Sequence, residues 1–144
     1  MKTDYYIGID PGVATGVAVW DSNNALFLSV ESMSILSAID EVSSLLLKYD
    51  KSNVQIRIED ARKRRWFGNA GVERLQGAGS IKRDCSIWEE FVTKNNIKHQ
   101  LVAPANVRTK LNHVQFSNLT KYTKKTNEHG RDAAMLVFGL STGA

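Results

Sequence analysis

Three acidic residues stand at the ends of apolar segments in widely separated parts of the chain. Asp10 ends one apolar run, and Glu59 ends the run 54–58. Asp132 lies near the start of a predicted apolar helix. A carboxylate at the end of a buried element is costly to desolvate, so it usually has a partner or a cation. Because hard divalent metals prefer oxygen ligands, three such acids predict a metal site if the fold gathers them.

Each acid also has a structural explanation when it is taken alone. Asp10 precedes Pro-Gly and could start a turn, and Glu59 could pair with a nearby arginine. Asp132 could stabilise the first turn of a helix through the helix dipole. The presence of all three acids, in an order that a single fold can bring together, favours the shared site.

The length and charge of the chain limit the classes of protein it can belong to. Its 144 residues fit one domain, 1–144, which is too short for the two lobes of a sugar kinase or actin-like ATPase. The formal net charge is +4, which favours a polyanionic partner such as nucleic acid. Together with the acids, this charge predicts a metal-dependent nuclease.

Cysteine content and hydropathy predict where the protein works. Cys85 is the single cysteine, so no intrachain disulfide can form, as suits a reducing cytoplasm. No apolar run reaches the roughly 20 residues that span a bilayer, and the N-terminus lacks the layout of a signal peptide. We therefore expect a cytoplasmic protein with no membrane partner.

Hydrophobic periodicity predicts eight elements in the order β-β-β-α-β-α-β-α. They are strands over 5–10, 15–22, 25–30, 54–59 and 98–102 and helices over 34–49, 71–94 and 128–140, with a helical turn over 104–112. This order predicts an α/β fold in which helices flank a mixed five-stranded sheet. Strands one and four would then be neighbours, which places Asp10 beside Glu59 and lets the last helix bring in Asp132.

The sequence resembles RuvC-type Holliday junction resolvases, which have an RNase H-like fold. The resemblance starts at Ile7-Gly8-Ile9-Asp10-Pro11-Gly12 and continues through Thr15-Gly16-Val17-Ala18. It includes the second acid at Glu59, the pair Asp132-Ala133 and the Gly/Ala-rich segment 74–79. It covers about residues 5 to 140, and the length is closest to that of phage-encoded members.

The resemblance implies a structure-specific DNA endonuclease that resolves Holliday junctions and other branched DNA with paired nicks. It implies a homodimer built partly on the second helix, in a bacterial or phage-infected cell, with no small-molecule cofactor. Two Mg²⁺ ions, or Mn²⁺, would be held by Asp10, Glu59, Asp132 and His129. His129 replaces an Asp that many members carry. Because imidazole binds Mn²⁺ better than Mg²⁺, this histidine could be a metal ligand or an acid–base group.

Two basic segments are predicted to contact DNA. The first has four cations followed by two aromatics, and it consists of Arg62, Lys63, Arg64, Arg65, Trp66 and Phe67. The cations would neutralise phosphates, and an aromatic ring could stack on an unpaired base. The second consists of Lys110, Lys121, Lys124 and Lys125. The alternative for both segments is a solvated charged surface.

Two other functions fit the same residues. One is an RNase H-like nuclease that acts on RNA or RNA–DNA hybrids. The other is a branched-DNA-binding module without catalytic activity. The intact acids argue against the module, and the basic-aromatic segment favours the resolvase over the RNA enzyme.

Overall fold

The computed structural model of the chain describes residues 2–63, 72–104 and 110–142, with only the backbone of 72–78. Its strands are β1 (Tyr5–Asp10), β2 (Ala14–Asp21), β3 (Leu26–Ser34), β4 (Val54–Glu59) and β5 (His99–Val102). Its helices are α1 (Ile35–Lys48), α2 (Val72–Lys94), α3 (His113–Thr120) and α4 (Glu128–Met135). Within the described part of the chain, no helix is both long and apolar enough to cross a membrane.

The five strands form one mixed sheet in the order β3-β2-β1-β4-β5. β1, β2 and β3 are antiparallel neighbours, while β4 runs parallel to both β1 and β5. This topology confirms the predicted α/β class and the predicted meander of the first three strands. It also confirms that strands one and four lie side by side.

The sheet separates two hydrophobic cores because successive side chains of a strand point to opposite faces. On one face, Ile7, Ile9 and Ile58 pack with the buried sides of α1 and α2. On the other face, Tyr6 packs with Ala133 and other residues at the C-terminal end of the chain. Asp10 has the same parity as Tyr6, so it lies on the face that α4 covers.

Two glycines let α4 lie directly against the sheet. A Cβ on Gly8 would stand 2.1 Å from the carbonyl oxygen of Ala133, and one on Gly16 would stand 1.9 Å from that of His129. No side chain fits in either gap. Gly16 is also the cross-strand partner of Asp10. The first turn of α4 is therefore fixed beside the end of β1.

The N-terminus of α4 is fixed by its cap. The side chain of Asn127 accepts a hydrogen bond from the backbone N–H of Gly130 at 2.9 Å and donates one to Ser32 on β3. An N-cap of this kind satisfies a backbone donor that the helix itself cannot pair. The cap thus connects the start of α4 to β3, an edge strand of the sheet.

The third strand, α3 and the last helix differ from the sequence predictions, and β3 continues to Ser34 rather than ending at residue 30. α3 was not predicted, because only Phe116 and Thr120 in it are buried and they give little periodicity. A reciprocal capping box between Asn112 and Gln115 sets its start instead. The last helix ends at Met135 rather than near residue 140, and the chain continues in turns. Residues 105–109 of the predicted turn over 104–112 lie outside the described residues.

Candidate active site

The predicted acids come together at one end of the sheet. Ile9 of β1 pairs with Ile58 of the parallel strand β4, so the next residues, Asp10 and Glu59, end neighbouring strands. α4 carries Asp132 over the same edge. The spatial arrangement expected for these acids is thus present in the fold.

A cleft of about 240 Å³ lies among these elements. Its lining consists of Asp10, Pro11, Glu59, Ala61, Ile81, Cys85, Lys110, His129 and Asp132. A larger cavity, of about 660 Å³, lies between α1 and α2 and is lined by both apolar residues, such as Leu47 and Phe91, and polar residues, such as Ser43. It has a single acid, Asp50, in its lining. Chemistry rather than size therefore marks the smaller cleft as the candidate site.

Two basic side chains lie against the acids. The ammonium nitrogen of Lys110 is 3.5 Å from Oδ2 of Asp132. Nδ1 of His129 is 3.5 Å from Oδ2 of Asp10, and its Nε2 is 3.7 Å from Oε1 of Glu128. The side chains of Asp10 and Asp132 are 17% and 15% exposed, whereas that of Lys110 is 78% exposed. The acids thus form the floor of the cleft and Lys110 its solvent-facing rim.

The carboxyl group of Asp10 is strongly perturbed by its surroundings. Its pKa is raised from 3.8 to about 7, chiefly by burial and also by the negative charges of Glu59 and Asp132. His129 acts in the opposite direction through its charge and hydrogen bond. A carboxylate that is both desolvated and repelled by like charges is typical of functional sites.

The chemistry of these donors fits a hard divalent cation. Three carboxylates face one cleft, and the raised pKa of Asp10 shows that their negative charges act on one another. Across residues 2–63, 72–104 and 110–142, however, no three His, Cys, Asp or Glu side chains are already arranged around a common ion position. The assignment of Asp10, Glu59, His129 and Asp132 as metal ligands therefore stays a prediction.

The shifted pKa of Asp10 predicts a pH dependence of stability. The folded protein binds this proton up to about pH 7, whereas an unfolded Asp releases it near pH 4. The folded state thus holds the extra proton between these values, and this contribution to stability is lost as the pH rises through 7. Asp10→Asn removes the repelled charge, so its melting temperature should exceed that of the wild type at pH 8.

Calorimetry or circular dichroism in a chelator measures this difference in melting temperature. One kcal/mol corresponds to roughly 2–4 °C in a domain of this size. The difference in melting temperature should shrink as the pH falls towards and below about 4, where the carboxyl becomes protonated in the unfolded state as well as in the folded state. Asp40→Asn, on the exposed side of α1, is the matched control and should show no such gap. Equal melting temperatures of the Asp10→Asn variant and the wild type at pH 8 would contradict the repulsion.

The predicted DNA contacts lie in several different surroundings. Lys110 lies in the cleft, Lys121 ends α3 with a left-handed backbone, and Lys124 and Lys125 are exposed. Lys63 donates a hydrogen bond to the carbonyl of Leu101 at 3.0 Å. Arg62 is held by two acids. Arg64, Arg65, Trp66 and Phe67 lie outside the described residues.

Arg131 is a site residue that the sequence analysis missed. Its guanidinium donates to the carbonyls of Leu111 and Thr126, each at 2.9 Å. It therefore ties the segment next to Lys110 to the helix that carries His129 and Asp132. Its position between those two residues was the available signal, but its partners lie on separate segments.

Comparisons with known proteins identify the fold. No protein-family model matches the chain, and no curated protein matches its sequence. Among solved structures, T. thermophilus RuvC in complex with Holliday junction substrate is similar, with a TM-score of 0.59 and 14% sequence identity. The match covers 93% of this chain and 90% of that chain. The fold is RuvC-like. An RNase H-like mixed sheet flanked by helices is thus established, as the sequence resemblance implied.

Proposed function

We propose that this protein is a divalent-metal-dependent endonuclease that resolves Holliday junctions and other branched DNA. The observation that carries the proposal is the convergence of Asp10, Glu59 and Asp132 on one cleft of a RuvC-like fold. The raised pKa of Asp10 supports it, because catalytic sites concentrate like charges in this way.

The acids would hold the metal, with His129 as a further candidate ligand. When bound, Mg²⁺ or Mn²⁺ supplies charge neutralisation and lowers the pKa of an attacking water. Asp10, at the end of the central strand β1, interacts electrostatically with both Glu59 and Asp132 and would be the central carboxylate of a two-ion site. Glu59 and Asp132 would each hold one of the two ions.

Two basic side chains would act on the scissile phosphate directly. Lys110 lies on the exposed rim, 3.5 Å from Asp132, where its ammonium can donate to a phosphate oxygen as negative charge develops. His129 faces Asp10 through Nδ1 and Glu128 through Nε2. In this position it can orient the phosphate or give a proton to the leaving oxygen.

The substrate and assembly follow from the geometry of a four-way junction. Paired cuts need two sites related by two-fold symmetry, which a homodimer supplies. The exposed lysines 121, 124 and 125 would bind phosphates outside the cleft. We place the protein in the cytoplasm of a bacterial or phage-infected cell, where such DNA intermediates form.

A substrate panel tests the proposed function. Four-way junctions, three-way junctions, linear duplex and RNA–DNA hybrid are incubated with the protein and Mg²⁺ or Mn²⁺, and cut sites are mapped on each strand. We expect symmetric paired nicks in the four-way junction. Sedimentation analysis should show a dimer. Preference for the hybrid would instead support the RNA-directed alternative, and binding without cutting would support the non-catalytic module.

A further inference from the structure

Arg62 forms a clamp with two acids just after the end of β4. Its Nε and Nη2 bind the two carboxylate oxygens of Asp60 at 2.8 and 2.9 Å. Its Nη1 lies 2.9 Å from Oε1 of Glu89 on α2. We refer to Asp60, Arg62 and Glu89 as the acid clamp.

The acid clamp lies next to a predicted catalytic group. Asp60 directly follows Glu59 in the chain, and its side chain is only 3% exposed. The backbone N–H of Asp60 donates to the carbonyl of Val102 on β5 at 2.8 Å. The thiol of Cys85 on α2 is 3.7 Å from the carbonyl oxygen of Glu59. The backbone that carries Glu59 is therefore held between β5 and α2.

Arg62 is the member of the clamp that links these elements. It is bidentate to a buried carboxylate, which is the strongest geometry available to arginine. Its hydrogen bond is the largest cause of the lowered pKa of Asp60. Loss of Arg62 would leave Asp60 charged and buried without its main partner, and such a group moves or takes up solvent. The adjacent Glu59 would lose its fixed position.

The same contacts argue against a role of Arg62 in binding DNA. All three guanidinium nitrogens are engaged by carboxylates, and the side chain is 26% exposed. A phosphate would have to displace a bidentate bond to a buried acid. A free surface arginine carries no such cost.

We propose that Arg62 is a positioning residue that holds Glu59 in its working orientation through the acid clamp, rather than a phosphate contact. This inference rests on the proposed nuclease function, because the orientation of Glu59 affects cleavage only if the cleft is catalytic. It assigns a structural role to one arginine of the basic segment that the sequence analysis predicts to contact DNA.

The test separates cleavage from DNA binding. Arg62→Gln, Arg62→Lys and Glu89→Gln are compared with the wild type and with Lys94→Gln, which removes a charge at the last residue of α2. Junction affinity is measured in a chelator at several salt concentrations. The cleavage rate is measured in single turnovers at saturating junction, over a range of Mn²⁺ concentrations.

A positioning role predicts a loss of rate without a loss of binding. We expect Arg62→Gln to cut about 10- to 100-fold more slowly or to need that much more metal, as for other residues that support metal ligands. Arg62→Lys should recover part of the rate, and Glu89→Gln should lose less than Arg62→Gln. The salt dependence of binding should match that of the wild type in all three variants.

A phosphate contact predicts the opposite pattern. The slope of log affinity against log salt would fall in magnitude by about 0.9, and the rate at saturation would stay at the wild-type level. That result would overturn the positioning role of Arg62 while leaving the nuclease proposal intact. A wild-type chain that cuts no DNA would overturn both. If Arg62→Gln does not fold, Arg62→Lys and Glu89→Gln still decide between the two roles.

Discussion

Asp10→Asn should abolish cleavage of a four-way junction while leaving junction binding intact. Asp10 ends the central strand and interacts electrostatically with both Glu59 and Asp132. The amide keeps the shape of the side chain but removes the charge that would hold a divalent ion. We expect the single-turnover rate to fall on the order of 10⁴-fold, which is typical for loss of a central catalytic group.

Binding should survive because the substitution removes a negative charge from a surface that faces phosphates. Fluorescence anisotropy in a chelator should give an affinity equal to or tighter than that of the wild type. Asp40→Asn is the matched control, and it should cut and bind as the wild type does. An Asp10→Asn variant that retains cleavage within tenfold of the wild type would contradict the assignment.

Gly16→Ala should reduce cleavage strongly by displacing α4. Gly16 lies on β2, beside Asp10, and contacts the backbone of α4. The new Cβ would stand 1.9 Å from the carbonyl oxygen of His129 and 2.6 Å from its carbonyl carbon. Both atoms belong to the backbone of α4, so the helix itself must move, and it carries Asp132 with it. A misplacement of about 1 Å can cost on the order of 10²-fold in rate, and overpacking costs about 1–3 kcal/mol of stability.

The matched control for this substitution is Gly79→Ala in α2. A Cβ there meets no atom of the described residues within 4 Å. Alanine is favoured over glycine in a helix by about 1 kcal/mol, so this variant should be as stable as the wild type or more so. Melting curves and single-turnover cleavage compare the two variants. A Gly16→Ala protein with wild-type rate and melting temperature would show that α4 does not depend on this close approach.

Local patterns were sufficient to predict most of the fold. The runs ending at Asp10 and Glu59 predicted both strands with their observed bounds, because the first is almost wholly apolar and the second alternates apolar and polar residues, as strands do. Ser34 was predicted to cap α1, and its hydroxyl accepts a hydrogen bond from the N–H of Ser37. The meeting of the two acids then followed from the order of the elements alone.

Features that depend on distant partners could not be predicted. Arg62 lies in a run of four cations, and nothing near it in the sequence indicates that Glu89, on another element, completes its surroundings. The partners of Arg131 are likewise backbone carbonyls, whose positions only the fold determines. The close approach of α4 to Gly16 is a further property of packing. These residues determine how accurately the site is placed, whereas the acids determine its chemistry.

Binding of Mn²⁺ to the wild type and to Asp10→Asn tests most directly whether the gathered acids hold a divalent cation. Electron paramagnetic resonance measures free Mn²⁺ as metal is added to each protein without DNA, with Asp40→Asn as the control. We predict saturable binding to the wild type and the control, and loss of most of it in Asp10→Asn. Equal binding to all three proteins, or none to the wild type, would contradict the account.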